Sequence, residues 1–187
     1  MIKKLRYIAL MTAFMSSLSF AGQPHVMTED DVKSITSFLT AGTGLNIGSS
    51  FNTDPYEETV KLGFFTFTPQ RELYPFNHYE IAVTPISKKL YTVFMTGKSV
   101  ACASDTANVK KFLGTRFSSP SEGYINANPQ SNLMYTFKDT VDTQNILLYS
   151  CDLITNDMYL YYYREDLAEV FNNEVNDWYA KQLNSPK

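Results

Sequence analysis

The sequence is poor in the residues that metal and nucleophile chemistry draws on. It has two histidines, two cysteines and one tryptophan among 187 residues. His25 and His78 stand far apart, and neither belongs to an HExxH or HxxxH pattern, so no metal site is expected. No DxDxDG-type run offers a calcium loop. No serine sits in a GxSxG elbow, and the two histidines have no local serine–acid setting. Gly97-Lys98-Ser99 has the ending of a phosphate-binding loop, but the full motif needs a glycine where Thr92 stands. Carboxylates do fall in pairs, at Glu57/Glu58, Asp139/Asp142 and Asp152/Asp157, in turn-like surroundings where such groups are ordinarily solvated. No catalytic residue and no cofactor is assigned.

Basic clusters are missing as well. The net charge is −3, with 16 basic and 19 acidic side chains. An acidic chain without a lysine- or arginine-rich stripe makes a poor nucleic-acid ligand. Nor does any later segment form a basic amphipathic helix for a membrane surface.

Long apolar runs are confined to the start. MIKKLR supplies positive charge, YIALMTAFMSSLSF follows as an apolar stretch, and Ser19-Phe20-Ala21 fits a small-x-small cleavage site. Ser16, Ser17 and Ser19 break the run before it reaches the roughly 18 apolar residues of a membrane span. Residues 1–21 are therefore expected to be a cleaved signal peptide, with no membrane insertion afterwards. Residues 22–187 form one globular domain with 13 basic and 19 acidic side chains, a net charge of −6. The short lysine-bearing leader points to the bacterial periplasm, with secretion beyond the cell as the alternative. In such an oxidising compartment Cys102 and Cys151 are expected to form a disulfide.

What the chain does have is periodic structure. Thr28 followed by Glu29, Asp30 and Asp31 reads as a capped helix start, and Val32, Ile35, Phe38 and Leu39 recur at helical spacing up to a stop at Gly42. Strand patterns occupy 59–67, 78–85 and 89–97, and Ser104-Asp105 offers a cap to a helix carrying Val109, Phe112 and Leu113. After a Ser/Pro/Gly/Asn-rich loop at 118–131, strand patterns return at 132–138, 145–153 and 158–164. An amphipathic helix then runs from Glu165 to about Leu183. The fold class is α+β: a single domain with a mostly antiparallel twisted sheet, helices packed on one face, and the order α-βββ-α-βββ-α. Residues 83–94 and 151–162 align without a gap, which gives the two halves a common βββα pattern.

The run MYLYYYR is the most distinctive stretch. By the two-residue period of a strand, Met158, Leu160 and Tyr162 share the core side, and Tyr159, Tyr161 and Tyr163 share the other. Three aligned tyrosines suit an interface, since each joins a large apolar ring to a polar tip. The expected function is a protein-binding module, such as an inhibitor, immunity factor, chaperone or secretion-system accessory. Tyr159, Tyr161 and Tyr163 would make the contact, and Glu169 and Asp177 on the last helix would steer a basic partner. The alternative is a small hydrolase of cell-wall or glycan material, which would need two carboxylates facing one cleft. A small-ligand carrier would need an apolar cavity.

Overall fold

The computed structural model describes residues 25–40, 45–113, 116–118, 120–123 and 132–184. The expected signal peptide, the Gly42 stop and most of the 118–131 loop lie outside the described residues. In chain order the elements are α1 (Glu29–Thr40), β1 (Glu57–Glu58), β2 (Phe64–Thr66), β3 (Phe76–Val83), β4 (Leu90–Lys98), α2 (Cys102–Phe112), β5 (Ser121–Gly123), β6 (Asn132–Lys138), β7 (Asn145–Asp152), β8 (Asp157–Arg164) and α3 (Asp166–Asn184). The α-βββ-α-βββ-α order holds, and each half adds one short strand at its edge of the sheet.

The first helix starts where its cap dictates. Thr28 Oγ1 accepts the Asp31 N–H at 3.3 Å, and Asp31 Oδ2 accepts the Thr28 N–H at 2.7 Å, a reciprocal capping box built with aspartate. Val32, Ile35 and Leu39 are then buried along one stripe. The second helix begins earlier than its sequence suggests. Ser104-Asp105 does not cap it; α2 already runs from Cys102, and Asp105 is buried within its first turns. There Asp105 Oδ1 accepts the Met27 N–H at 2.6 Å, while Asn108 Nδ2 donates to the Met27 carbonyl at 2.7 Å. The chain entering α1 is thus clamped to α2 through the backbone of one buried methionine.

The 59–67 run is not one strand. Its first half folds back as a turn: Phe64 N–H bonds the Lys61 carbonyl, and Glu58 Oε1 takes the Gly63 N–H at 2.9 Å. Gly63 has φ +78°, and a Cβ there would lie 2.6 Å from the Val83 carbonyl oxygen, so only glycine lets the turn close against β3.

All neighbouring strands are antiparallel, in the order β1-β2-β3-β4-β8-β7-β6-β5. The two halves meet at β4 and β8, each half running outward from that seam. The gap-free alignment of 83–94 with 151–162 survives in the hairpin turns. Lys88 and Asn156 occupy aligned positions and both have left-handed backbones, with φ 54° and 60°. Each donates its N–H to an aligned carbonyl, Thr84 or Asp152.

One face of the sheet carries the main core, including Tyr79, Ile81, Val93, Met95, Leu147, Tyr149, Leu160 and Tyr162, with α1 and α2 over it. The expected Cys102–Cys151 disulfide is present, with Cα atoms 6.0 Å apart, and ties the start of α2 to β7. Asp139, fully buried, accepts from Arg116 Nη2 at 2.8 Å and from the Tyr162 hydroxyl at 2.9 Å, closing the far end of this core.

Not every helix lies on that face. Arg164 pairs with Asp142 and Asp166 at the end of β8, and the chain turns to the opposite side. There Phe171 of α3 meets Phe64 edge-on at 5.6 Å and stacks on Tyr91 at 5.2 Å. The outer row there carries the apolar side chains of Phe64, Ala82 and Ile146 and the ring of Tyr163, which gives the Leu167/Phe171 stripe something to bury. Glu174, one turn on, accepts the N–H groups of Ile86 and Ser87 at 2.7 and 2.9 Å.

Candidate binding face

The outer face of the sheet is only partly roofed. Strand register fixes its rows. Phe64, Ala82, Thr92, Tyr163, Ile146 and Lys138 form one row, across which α3 packs through Phe171. The next row holds Thr66, Glu80, Phe94, Tyr161, Leu148 and Thr136, and the one after that His78, Thr96, Tyr159, Ser150 and Met134. The described helices leave the centre of the first of these two rows uncovered, where Tyr161 is 38% exposed; in the second Tyr159 is half-buried and Ser150 fully buried.

Aromatic rings organise the centre. Phe94 stacks on Tyr161 with centroids 4.1 Å apart and planes 26° from parallel. Tyr159 lies nearly parallel to Phe94, 6.5 Å away. Offset stacking of this kind holds each ring in one orientation. Burial, aided by the charge of Glu80 and by Tyr159, pushes the Tyr161 phenol above its ordinary pKa, so it is a neutral hydroxyl at physiological pH.

The side-chain split read from the tyrosine run holds: Met158, Leu160 and Tyr162 are buried on the core side. Tyr161 sits in the uncovered strip, with the half-buried Tyr159 beside it. Tyr163 shares their face but stands at the margin, beside Tyr91 and next to the α3 roof. Burial, then Glu165, raises its pKa. Glu169 and Asp177 are exposed on α3. Phe94, Glu80 and Leu148 complete the strip, and sequence reasoning missed all three.

Five of the six acids considered for catalysis have other employment, and the sixth, Glu57, is exposed. Glu58 holds the Gly63 N–H, Asp139 is tied to Arg116 and Tyr162, and Asp142 pairs with Arg164 at 2.7 Å. Asp152 accepts the N–H groups of Ile154 and Thr155, and Asp157 pairs with Lys98 at 3.2 Å. His78 faces Glu80 at 3.3 Å rather than a serine. Gly97, in the phosphate-loop-like tripeptide, lies inside β4. Among the described residues no group of three or more His, Cys, Asp or Glu could hold a metal ion. None of the described helices is long and apolar enough to cross a membrane.

A second concavity lies elsewhere. An open cleft of about 1050 Å³ separates α1 from residues 67–73. Phe38 and Phe67, stacked at 6.0 Å, line it with Leu45 and Leu73, and so do Lys33 and Arg71. Of the acidic residues, it is lined by Asp30 alone among the described residues.

No family model matches this chain, no curated protein matches it, and no solved structure matches it.

Proposed function

We propose that the protein is an exported, periplasmic protein-binding module that engages another protein through the uncovered outer face of its sheet. The observation that carries this reading is the stacked Phe94–Tyr161–Tyr159 strip, an aromatic surface left open on a sheet whose other face is filled by the core. Aromatic residues with polar tips are enriched at protein interfaces, and an antiparallel sheet with one open face offers them on a rigid platform. The exposed acids Glu169 and Asp177 favour a basic partner. The leader-like first 21 residues and the Cys102–Cys151 bridge support export into an oxidising compartment.

The test is in-cell cross-linking of the native protein and of Tyr159→Ser/Tyr161→Ser at native expression. Loss of one stoichiometric partner from a variant that keeps its fold supports the reading. An unchanged partner in the variant removes it.

The cleft beside α1 favours a second reading, a small-ligand carrier, since its volume and aromatic lining suit a ligand site. Ligand-induced shifts at Phe38 and Phe67, with none on the outer face, would favour that reading instead.

A further inference from the structure

Among the described residues Glu80 is the one acidic side chain in the middle of the uncovered strip, and its ion-pair contact is with a histidine alone. It stands opposite Phe94, its side chain is only 18% exposed, and its ion-pair contact is with His78, which carries charge only when protonated. Oε1 is the atom engaged, which leaves Oε2 for an incoming donor. Lys98, further along the same face of β4, is held by Asp157 at 3.2 Å, and Lys138 lies across the sheet on β6. A carboxylate drawn this far out of water is costly without a cation. Beside it lie the stacked rings of Phe94 and Tyr161, a surface to which cations are attracted.

We propose that this position receives an arginine of a basic protein partner, its guanidinium hydrogen-bonded to Glu80 and lying flat on the Phe94 ring, which Tyr161 backs on its other side. Arginine fits better than lysine because a planar fork can bond a carboxylate and lie flat on an aromatic face together. Charge complementarity favours a basic partner over a second copy of this chain, whose residues 22–187 carry a net charge of −6. The inference rests on the reading of the outer face as the binding surface and names the group that the surface selects.

The test uses the disulfide-bonded protein with its tyrosine rings observed by NMR, titrated with Nα-acetyl-arginine amide and the matching lysine and citrulline amides. Arginine should give saturable shifts of Tyr161 and Tyr159, with lysine weaker by several-fold and citrulline, which keeps the shape but not the charge, weaker again. Glu80→Gln should lose most of the arginine response while its amide spectrum stays folded. Equal responses to arginine and citrulline, or a Glu80→Gln variant that still responds fully, would overturn the proposal. If Tyr159→Ser/Tyr161→Ser loses its partner while Glu80→Gln keeps it, the face remains the binding surface and only the arginine assignment falls. If neither variant loses the partner, both fall.

Discussion

Phe94 and Tyr161 stack at the seam where the two halves of the sheet meet, as direct partners across β4 and β8. On either side of them the same strands pair Thr92 with Tyr163 and Thr96 with Tyr159, so a threonine–tyrosine pair brackets the stack in both directions. The pattern puts both threonines on β4 and both tyrosines on β8. It sets the most exposed tyrosine of the strip against rigid, doubly paired central strands.

Replacing Tyr161 with serine should therefore cost the fold little. An aromatic pair contributes about 0.5–1.5 kcal/mol beyond its area burial, and the surrounding ladder is unchanged. With about 1 kcal/mol more for the part-buried ring itself, we expect a urea midpoint lowered by about 2 kcal/mol equivalent, with the far-UV spectrum retained. A loss several times larger would mean that Tyr161 belongs to the core rather than to a surface.

Gly97 is the position where a small change should do most harm. A Cβ there would lie 2.1 Å from the Pro75 carbonyl oxygen and 2.8 Å from the Phe76 Cα, both backbone atoms that cannot swing aside. Gly97→Ala should destabilise by about 3 kcal/mol, near the top of the range for overpacking. Chemical denaturation beside an alanine substitution at exposed Lys181 gives the comparison. Equal midpoints would show that β4 does not pass this close to residue 75.

Glu174 fastens α3 to the first hairpin. Burial works against its ionisation, but the hydrogen bonds from Ser87 and Ile86 and the charge of Lys88 outweigh it and hold the carboxyl below its ordinary value of 4.5. A carboxylate with a depressed folded pKa stabilises the protein above its unfolded pKa, and that contribution fades as pH falls through the lower folded one. Hydrogen exchange at Ile86 and Ser87 should accelerate in Glu174→Ala, and the variant's stability should change less than the native protein's as pH drops below 4.5. The second hairpin needs no such helper, because Asp152 caps the equivalent N–H groups of Ile154 and Thr155 itself. Exchange there should be unaltered.

The disulfide spans a sequence separation of 49 and joins α2 to the middle of the sheet. Closing a loop of that length is worth about 4 kcal/mol in the chain-entropy model. Reduced protein, or Cys102→Ser/Cys151→Ser, should unfold at correspondingly lower urea. A change below about 1 kcal/mol would show that α2 is held by its packing alone.

Much of this architecture was legible because strands and helices have fixed periods. The alternation along 158–164 separated core from surface with no knowledge of neighbours, and Thr28 announced α1 through local chemistry. The rest depended on relations between distant segments. The gap-free alignment matched Phe94 with Tyr162, a core residue, but a register shift between Ala82 and Val83 moves β4 on by one and delivers Phe94 to the outer face. Glu80 and Leu148 joined the strip only once the pairing of β4 with β8 was known. Asp105 was misread because a buried aspartate serving a remote backbone N–H looks, in sequence, like an ordinary helix cap. Helix α3 was placed on the wrong side because its apolar stripe does not say which face of the sheet is still unfilled.

The most direct test of the binding face is site-specific photo-cross-linking in the native host, with a photoreactive side chain replacing Tyr161 in one strain and Val141, 73% exposed in a remote turn, in another. The outer-face account predicts one discrete protein adduct from position 161 and none from position 141. No adduct from position 161, or the same adduct from both, would contradict it.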